Sequence, residues 1–167
     1  IGTHLVTCQA QPALGAVYKL VQVNGSPRIK LSQETAKVTI PGRKEVYRLI
    51  GINGSPLLDL MMQVGEEPPR PGERILCRHP FDEAKRAYVV PTEVIPLQQL
   101  VWDGRPEGGP LPSIFDVREY VIRQLARLRS DHLRVLNPTP YKVSVSERLY
   151  QFMHRLWLEE SPIAEMR

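Results

Sequence analysis

Residues 46–62 read VYRLIGINGSPLLDLMM. Residues 46–50 are a β-prone run, Asn53-Gly54 is the strongest short hairpin signal, and residues 57–62 return as a second strand. A hairpin is stable only when one of its faces is buried, so this stretch predicts a β-rich domain with a core. The same reading recurs on both sides. Residues 16–23 partly alternate, Asn24-Gly25 turns, and Arg28-Ile29-Lys30-Leu31 is predicted to return as a strand. Residues 74–78 and 87–90 form a third hairpin around residues 79–86, and residues 91–102 are a mixed apolar stretch, strand or short helix. Residues 32–43 end in Pro41-Gly42 and read as a loop, and residues 66–72 (EEPPRPG) as an extended linker.

Residues 103–112 (DGRPEGGPLP) break the pattern, and the period then changes. Val117, Val121, Leu125 and Leu128 recur every three or four residues, with Arg118, Arg123, Arg127 and Arg129 between them, which predicts an amphipathic helix. A second helix is predicted from about Val145, through Leu149, Phe152 and Leu156, with Ser144 and Glu147 spaced as a capping box. The fold class on this reading is α+β: antiparallel hairpins followed by two C-terminal helices.

A chain of 167 residues with 42% hydrophobic residues can build a real core. The 22 basic and 18 acidic residues are mostly interspersed, so the net charge of +4 reads as a solvated surface rather than a nucleic-acid patch. Cys8 and Cys77 lack metal-ligand spacing and read as reduced thiols. No apolar run approaches a membrane span.

No complete catalytic set is present. His79 falls in a turn, His132 beside Asp131 at a helix end, and His154 on a helix among Phe152, Met153 and Trp157. His4 alone adjoins a candidate ligand loop, Ile1-Gly2-Thr3-His4. Glycine lets a backbone approach an anion closely, successive N–H groups can point at one phosphate, and a threonine hydroxyl adds a hydrogen bond.

Residues 1–32 (IGTHLVTCQAQPALGAVYKLVQVNGSPRIKLS) and the K-x-T-x-P-G-x-K-x-V-Y-R pattern at residues 37–48 closely resemble the C-terminal part of nicotinate phosphoribosyltransferases, in an animal style. The resemblance continues through Gly54-Ser55-Pro56-Leu57-Leu58-Asp59, residues 91–97 and residues 141–149 (YKVSVSERL). It implies a type II phosphoribosyltransferase, an α/β barrel joined to a β-rich domain. Residues 1–15 would end the barrel, residues 16–102 form the β-rich region and residues 113–167 the helical region.

The same resemblance implies an ATP-dependent enzyme of the ligase class. It joins nicotinate to phosphoribosyl pyrophosphate, giving nicotinate mononucleotide and pyrophosphate, the first step of NAD synthesis from nicotinate. Mg2+ and ATP would serve it, in a cytosolic homodimer without nucleic-acid or membrane partners. Gly2 and Thr3 match the family's phosphate-holding turn. No catalytic residue or metal ligand is carried over, and the chain is expected to be a fragment, inactive alone.

Two other readings remain at this point. The arginine-rich stretch at residues 118–134 could serve a non-catalytic module binding RNA or an acidic protein partner, although aromatic residues are not interleaved with it as base stacking requires. A free-standing phosphate-binding domain is the other.

Overall fold

The computed structural model describes residues 18–34 and 37–161. Two of the expected hairpins form as read, and the first is shorter, with residues 18–21 outside any strand. β1 (Gln22–Val23) and β2 (Ser26–Pro27) pair antiparallel around Asn24 and Gly25, both at positive φ as a tight two-residue turn requires. β3 (Lys44–Ile50) and β4 (Pro56–Gln63) pair from Lys44 opposite Gln63 to Arg48 opposite Asp59, with an irregularity between Leu49 and Ile50. β5 (Ile75–Arg78) and β6 (Arg86–Val89) pair in full register. Within residues 91–102 a strand, β7 (Glu93–Pro96), lies against β3. Two helices follow the break, α1 (Ile114–Arg127) and α2 (Glu147–Glu160).

Two expectations are corrected. Residues 28–31 are not a strand; their backbone turns instead to the next loop, where Lys30 N donates to Thr39 Oγ1 at 2.7 Å. Helix α2 does not begin near Val145 on a Ser144 cap. Residues Val143–Ser146 are a further strand, β8, and Ser146 is the helix cap, its hydroxyl accepting from Leu149 N at 3.0 Å. β8 fills the slot between β5 and β4, antiparallel to the first and parallel to the second. Its Val-Ser-Val-Ser alternation suits a strand, and pairing on both sides satisfies backbone groups that a first helical turn leaves open.

The six-stranded sheet therefore runs β6-β5-β8-β4-β3-β7 and is mixed rather than purely antiparallel. Its two outermost strands are consecutive in the chain. Four Cα steps from Val89 to Glu93 reach at most ~14 Å, whereas the edges of a flat six-stranded sheet lie ~24 Å apart. The sheet must curl, and the core records it: Val89 from one edge and Val94 from the other pack on the same buried cluster of Leu49, Leu58, Leu60, Met62 and Cys77. The opposite face of β4 carries Asp59 and Met61. There α2 buries Leu149 and Tyr150 with Val145 against Ile40, Met61 and Phe152. Each fully buried aliphatic side chain contributes about 1.5–3 kcal/mol.

Candidate functional site

The K-x-T-x-P-G-x-K stretch is a stapled turn. Thr39 is buried, and its N–H donates back to Lys30 O. Gly42 sits at φ +75°, a backbone state that other residues adopt with strain, and its N–H donates to Val21 O at 2.8 Å. The Lys44 ammonium folds back onto the turn, donating to Ile40 O at 2.7 Å and to Gly42 O. Burial lowers the Lys44 pKa from its usual value, and the two carbonyls compensate part of the lost hydration. The turn borders an open cavity of about 660 Å³, lined among others by Val21, Arg43, Lys44, Gln98 and Gln99. Guanidinium, ammonium and amide donors around one opening suit an anionic or carbonyl-bearing group. Val21 O also accepts from Arg28 N at 2.9 Å, so the segment arriving from the N-terminal side is bonded to this turn.

On the outer face of the sheet, Arg48 and Asp59 are direct cross-strand partners and form a two-pronged ion pair at 2.8 and 2.9 Å. The Tyr141 hydroxyl donates to Asp59 Oδ1 at 2.9 Å, and its ring lies under the Arg48 guanidinium. Burial first, then the Asp59 carboxylate, pushes the Tyr141 pKa well above the usual phenol range. Asp59 holds the Arg48 guanidinium firmly charged. With Tyr120, Val121, Gln124 and Leu125 of α1 and its C-cap Leu128, Arg48 and Tyr141 line a cavity of about 260 Å³. All three polar groups satisfy one another, which marks a structural clamp under α1 rather than a poised acid or base.

A second clamp joins β5 to α2. Arg78 holds the Glu147 carboxylate, which also accepts from Gln151 Nε2 at 2.8 Å, and the guanidinium lies over the Tyr150 ring at 4.6 Å. The Tyr150 ring lies tilted against His154 at 4.1 Å, and His154 stacks on Trp157. Each described histidine is engaged locally. His79 Nδ1 accepts from Phe81 N, while His132 Nδ1 and His154 Nε2 lie 2.7 and 3.3 Å from the carbonyls of Thr139 and Pro80. None of them faces a nucleophile.

Gly2 and Thr3, with His4 and Cys8, lie outside the described residues. Cys77 is a buried free thiol whose pKa burial pushes up to about 11, which makes it unreactive. Among the described residues no group of three or more His, Cys, Asp or Glu side chains could hold a metal ion, and no helix is long and apolar enough to cross a membrane. The arginines on and after α1 are largely paired, Arg123 with Glu119, Arg127 with Glu93 and Arg129 with Asp131.

The described residues thus form an α+β domain, a curled mixed sheet with one helix packed on it and a stapled turn beside an open cavity. Residues 43–153 match the family of nicotinate phosphoribosyltransferase C-terminal domains. The chain belongs to the nicotinate phosphoribosyltransferase family. A nicotinate phosphoribosyltransferase of Caenorhabditis elegans is 54% identical over 167 residues, covering 99% of this chain and 30% of that protein. Nicotinate phosphoribosyltransferase 2 of Arabidopsis thaliana is 54% identical over 169 residues, covering 100% and 30%. The crystal structure of human nicotinic acid phosphoribosyltransferase superposes with a TM-score of 0.73 at 37% identity, covering 86% of this chain and 27% of that one. This chain thus spans about 30% of the length of the curated relatives it matches. These matches lend no support to a non-catalytic module binding RNA or an acidic protein partner.

Proposed function

We propose that this chain is the C-terminal part of an enzyme joining nicotinate and phosphoribosyl pyrophosphate to nicotinate mononucleotide and pyrophosphate, assisted by ATP hydrolysis, at the entry to NAD synthesis. The observation that carries this reading is the family match over residues 43–153, into which the stapled turn at residues 37–44 leads.

In this reading residues 1–15 end the α/β barrel, residues 16–102 form the β-rich region and residues 113–167 the helical region. Gly2 and Thr3 hold the 5′-phosphate through backbone N–H groups and the threonine hydroxyl. Phosphoribosyl transfer passes through a cationic sugar with a departing pyrophosphate, so a fixed phosphate contributes orientation rather than bond cleavage. The enzyme is a cytosolic homodimer acting on small molecules. Mg2+ and ATP belong to the same reading, and no step is assigned to them because the described residues offer no donor set.

Losing one charge-assisted phosphate hydrogen bond costs about 1.5–3 kcal/mol. Thr3→Ala in the full-length enzyme is therefore expected to raise the KM for phosphoribosyl pyrophosphate by roughly tenfold or more. An unchanged KM in steady-state kinetics rejects the assignment.

A further inference from the structure

Helix α1 carries more apolar surface than its own domain uses. None of its fourteen residues is buried. At roughly 100° per residue, its apolar positions sweep an arc of about 220°, whereas a helix facing one core needs a stripe of about 100°. One flank, Tyr120, Val121, Leu125 and the following Leu128, lies over Arg48 and Tyr141. The other is Ile114, Phe115 and Ile122, which are 76%, 73% and 55% exposed. Arg118 projects from the middle of this second flank, is exposed and forms none of the ion pairs seen among the described residues, unlike Arg123 and Arg127. The helix is nonetheless built to stay formed. Ser113 and Asp116 make a reciprocal capping box, and the family match runs through the whole element.

We infer that the Ile114–Phe115–Ile122 flank is a docking surface for the larger part of the family polypeptide, the part lying outside the region matched here, at an apolar patch carrying a carboxylate opposite Arg118. Two observations select that occupant. The curated relatives carry more than twice as much polypeptide outside the matched region as inside it. A second copy pairing about a two-fold axis through this flank would set Arg118 against Arg118, which like-charge repulsion opposes. The inference rests on family membership and not on the catalytic reading, because docking is measured without turnover.

The test compares the 167-residue chain alone with a full-length chimera in which it replaces the matched region of the Caenorhabditis elegans relative. Amide hydrogen exchange across α1 is expected to be at least about 100-fold slower in the chimera. Ile122→Glu is expected to lower the chimera's Tm by several degrees while leaving that of the chain alone unchanged, and Arg118→Glu to do the same more weakly. Equal α1 exchange in the two proteins overturns the inference, as does an Ile122→Glu effect of equal size in both. Protection that fades on dilution assigns the flank to a second copy and overturns it as well.

Discussion

The two helices are alike on paper and opposite in the molecule. Each has fourteen residues, a serine N-cap, an acidic first turn and an apolar stripe. Yet α2 buries Leu149, Tyr150 and Met153, and α1 buries nothing. The difference lies in what precedes them. β8 feeds directly into α2, so once that strand is paired between β4 and β5 the helix is already laid on the sheet. A proline- and glycine-rich stretch precedes α1, and among the described residues the helix is held by the clamp beneath it and by the exposed Arg127–Glu93 pair. Amphipathicity declares that a helix has a face to bury; it does not say that the domain at hand supplies the cover.

The largest expected effect tests that contrast directly. Leu149 is fully buried against Val145 and Met61, and Leu149→Ala should destabilise the chain by about 2–5 kcal/mol. Ile122→Ala on α1 should stay within about ±0.5 kcal/mol in the same chain, because it removes an exposed group and improves helix propensity. Urea denaturation of both variants is the measurement. Comparable losses would mean that α1 is packed as well as α2, and the comparison would fail.

A smaller effect is expected beneath α1. Arg48→Ala leaves the mostly buried Asp59 with Tyr141 as its remaining partner, at a cost of about 1–3 kcal/mol. Tyr141→Phe removes one hydrogen bond and should cost about 1 kcal/mol. Because both side chains line the cavity under α1, Arg48→Ala should also speed amide exchange in α1 more than in α2. A uniform change across both helices would show that the clamp supports the sheet and not the helix.

What the sequence showed was local. Two of the three hairpins were legible because Asn-Gly turns act over four residues, the third because β-prone runs flank the polar residues 79–86, and the stretch 46–62 even implies the Arg48–Asp59 pair once its register is set. The stapled turn was visible as a pattern, although nothing in the pattern said that Lys44 would turn back on Ile40 and Gly42. β8 was hidden because Val143–Ser146 is too short for periodicity to separate strand from helix, and both Ser144 and Ser146 can cap. Only the slot between β4 and β5, made by residues more than 60 positions away, decides it. The curl of the sheet and the role of Tyr141, 82 residues from Asp59, were illegible for the same reason. By contrast, the true start of α1 was in the sequence: Ser113 and Asp116 have capping-box spacing, with the cap four residues ahead of Val117. The proposed phosphate turn, Gly2 and Thr3, lies outside the described residues.

The smallest effect is a pH dependence that separates the two helices by charge. Arg78 is the main cause holding the Glu147 pKa below its usual 4.5, with Gln151 adding to it and burial acting against it. A carboxyl depressed in the folded state takes up protons more readily when unfolded. Its contribution is therefore complete above about pH 4.5 and is lost as the pH falls through the depressed folded value. Glu147 is more than a third exposed, so solvent and salt screen the contribution and it should be modest. Glu147→Gln should lower the Tm at pH 7 and flatten its fall between about pH 5 and pH 3. The matching change under α1, Glu93→Gln, should leave both the Tm and its acid limb unchanged, since the Arg127–Glu93 pair is long at 3.5 Å and exposed on both sides. Thermal melts of the two variants across that range decide the point. Matching acid limbs would place the charge that locks the helices in neither pair, and the distinction between a helix clamped by its own sheet and one awaiting a cover would then rest on apolar contact alone.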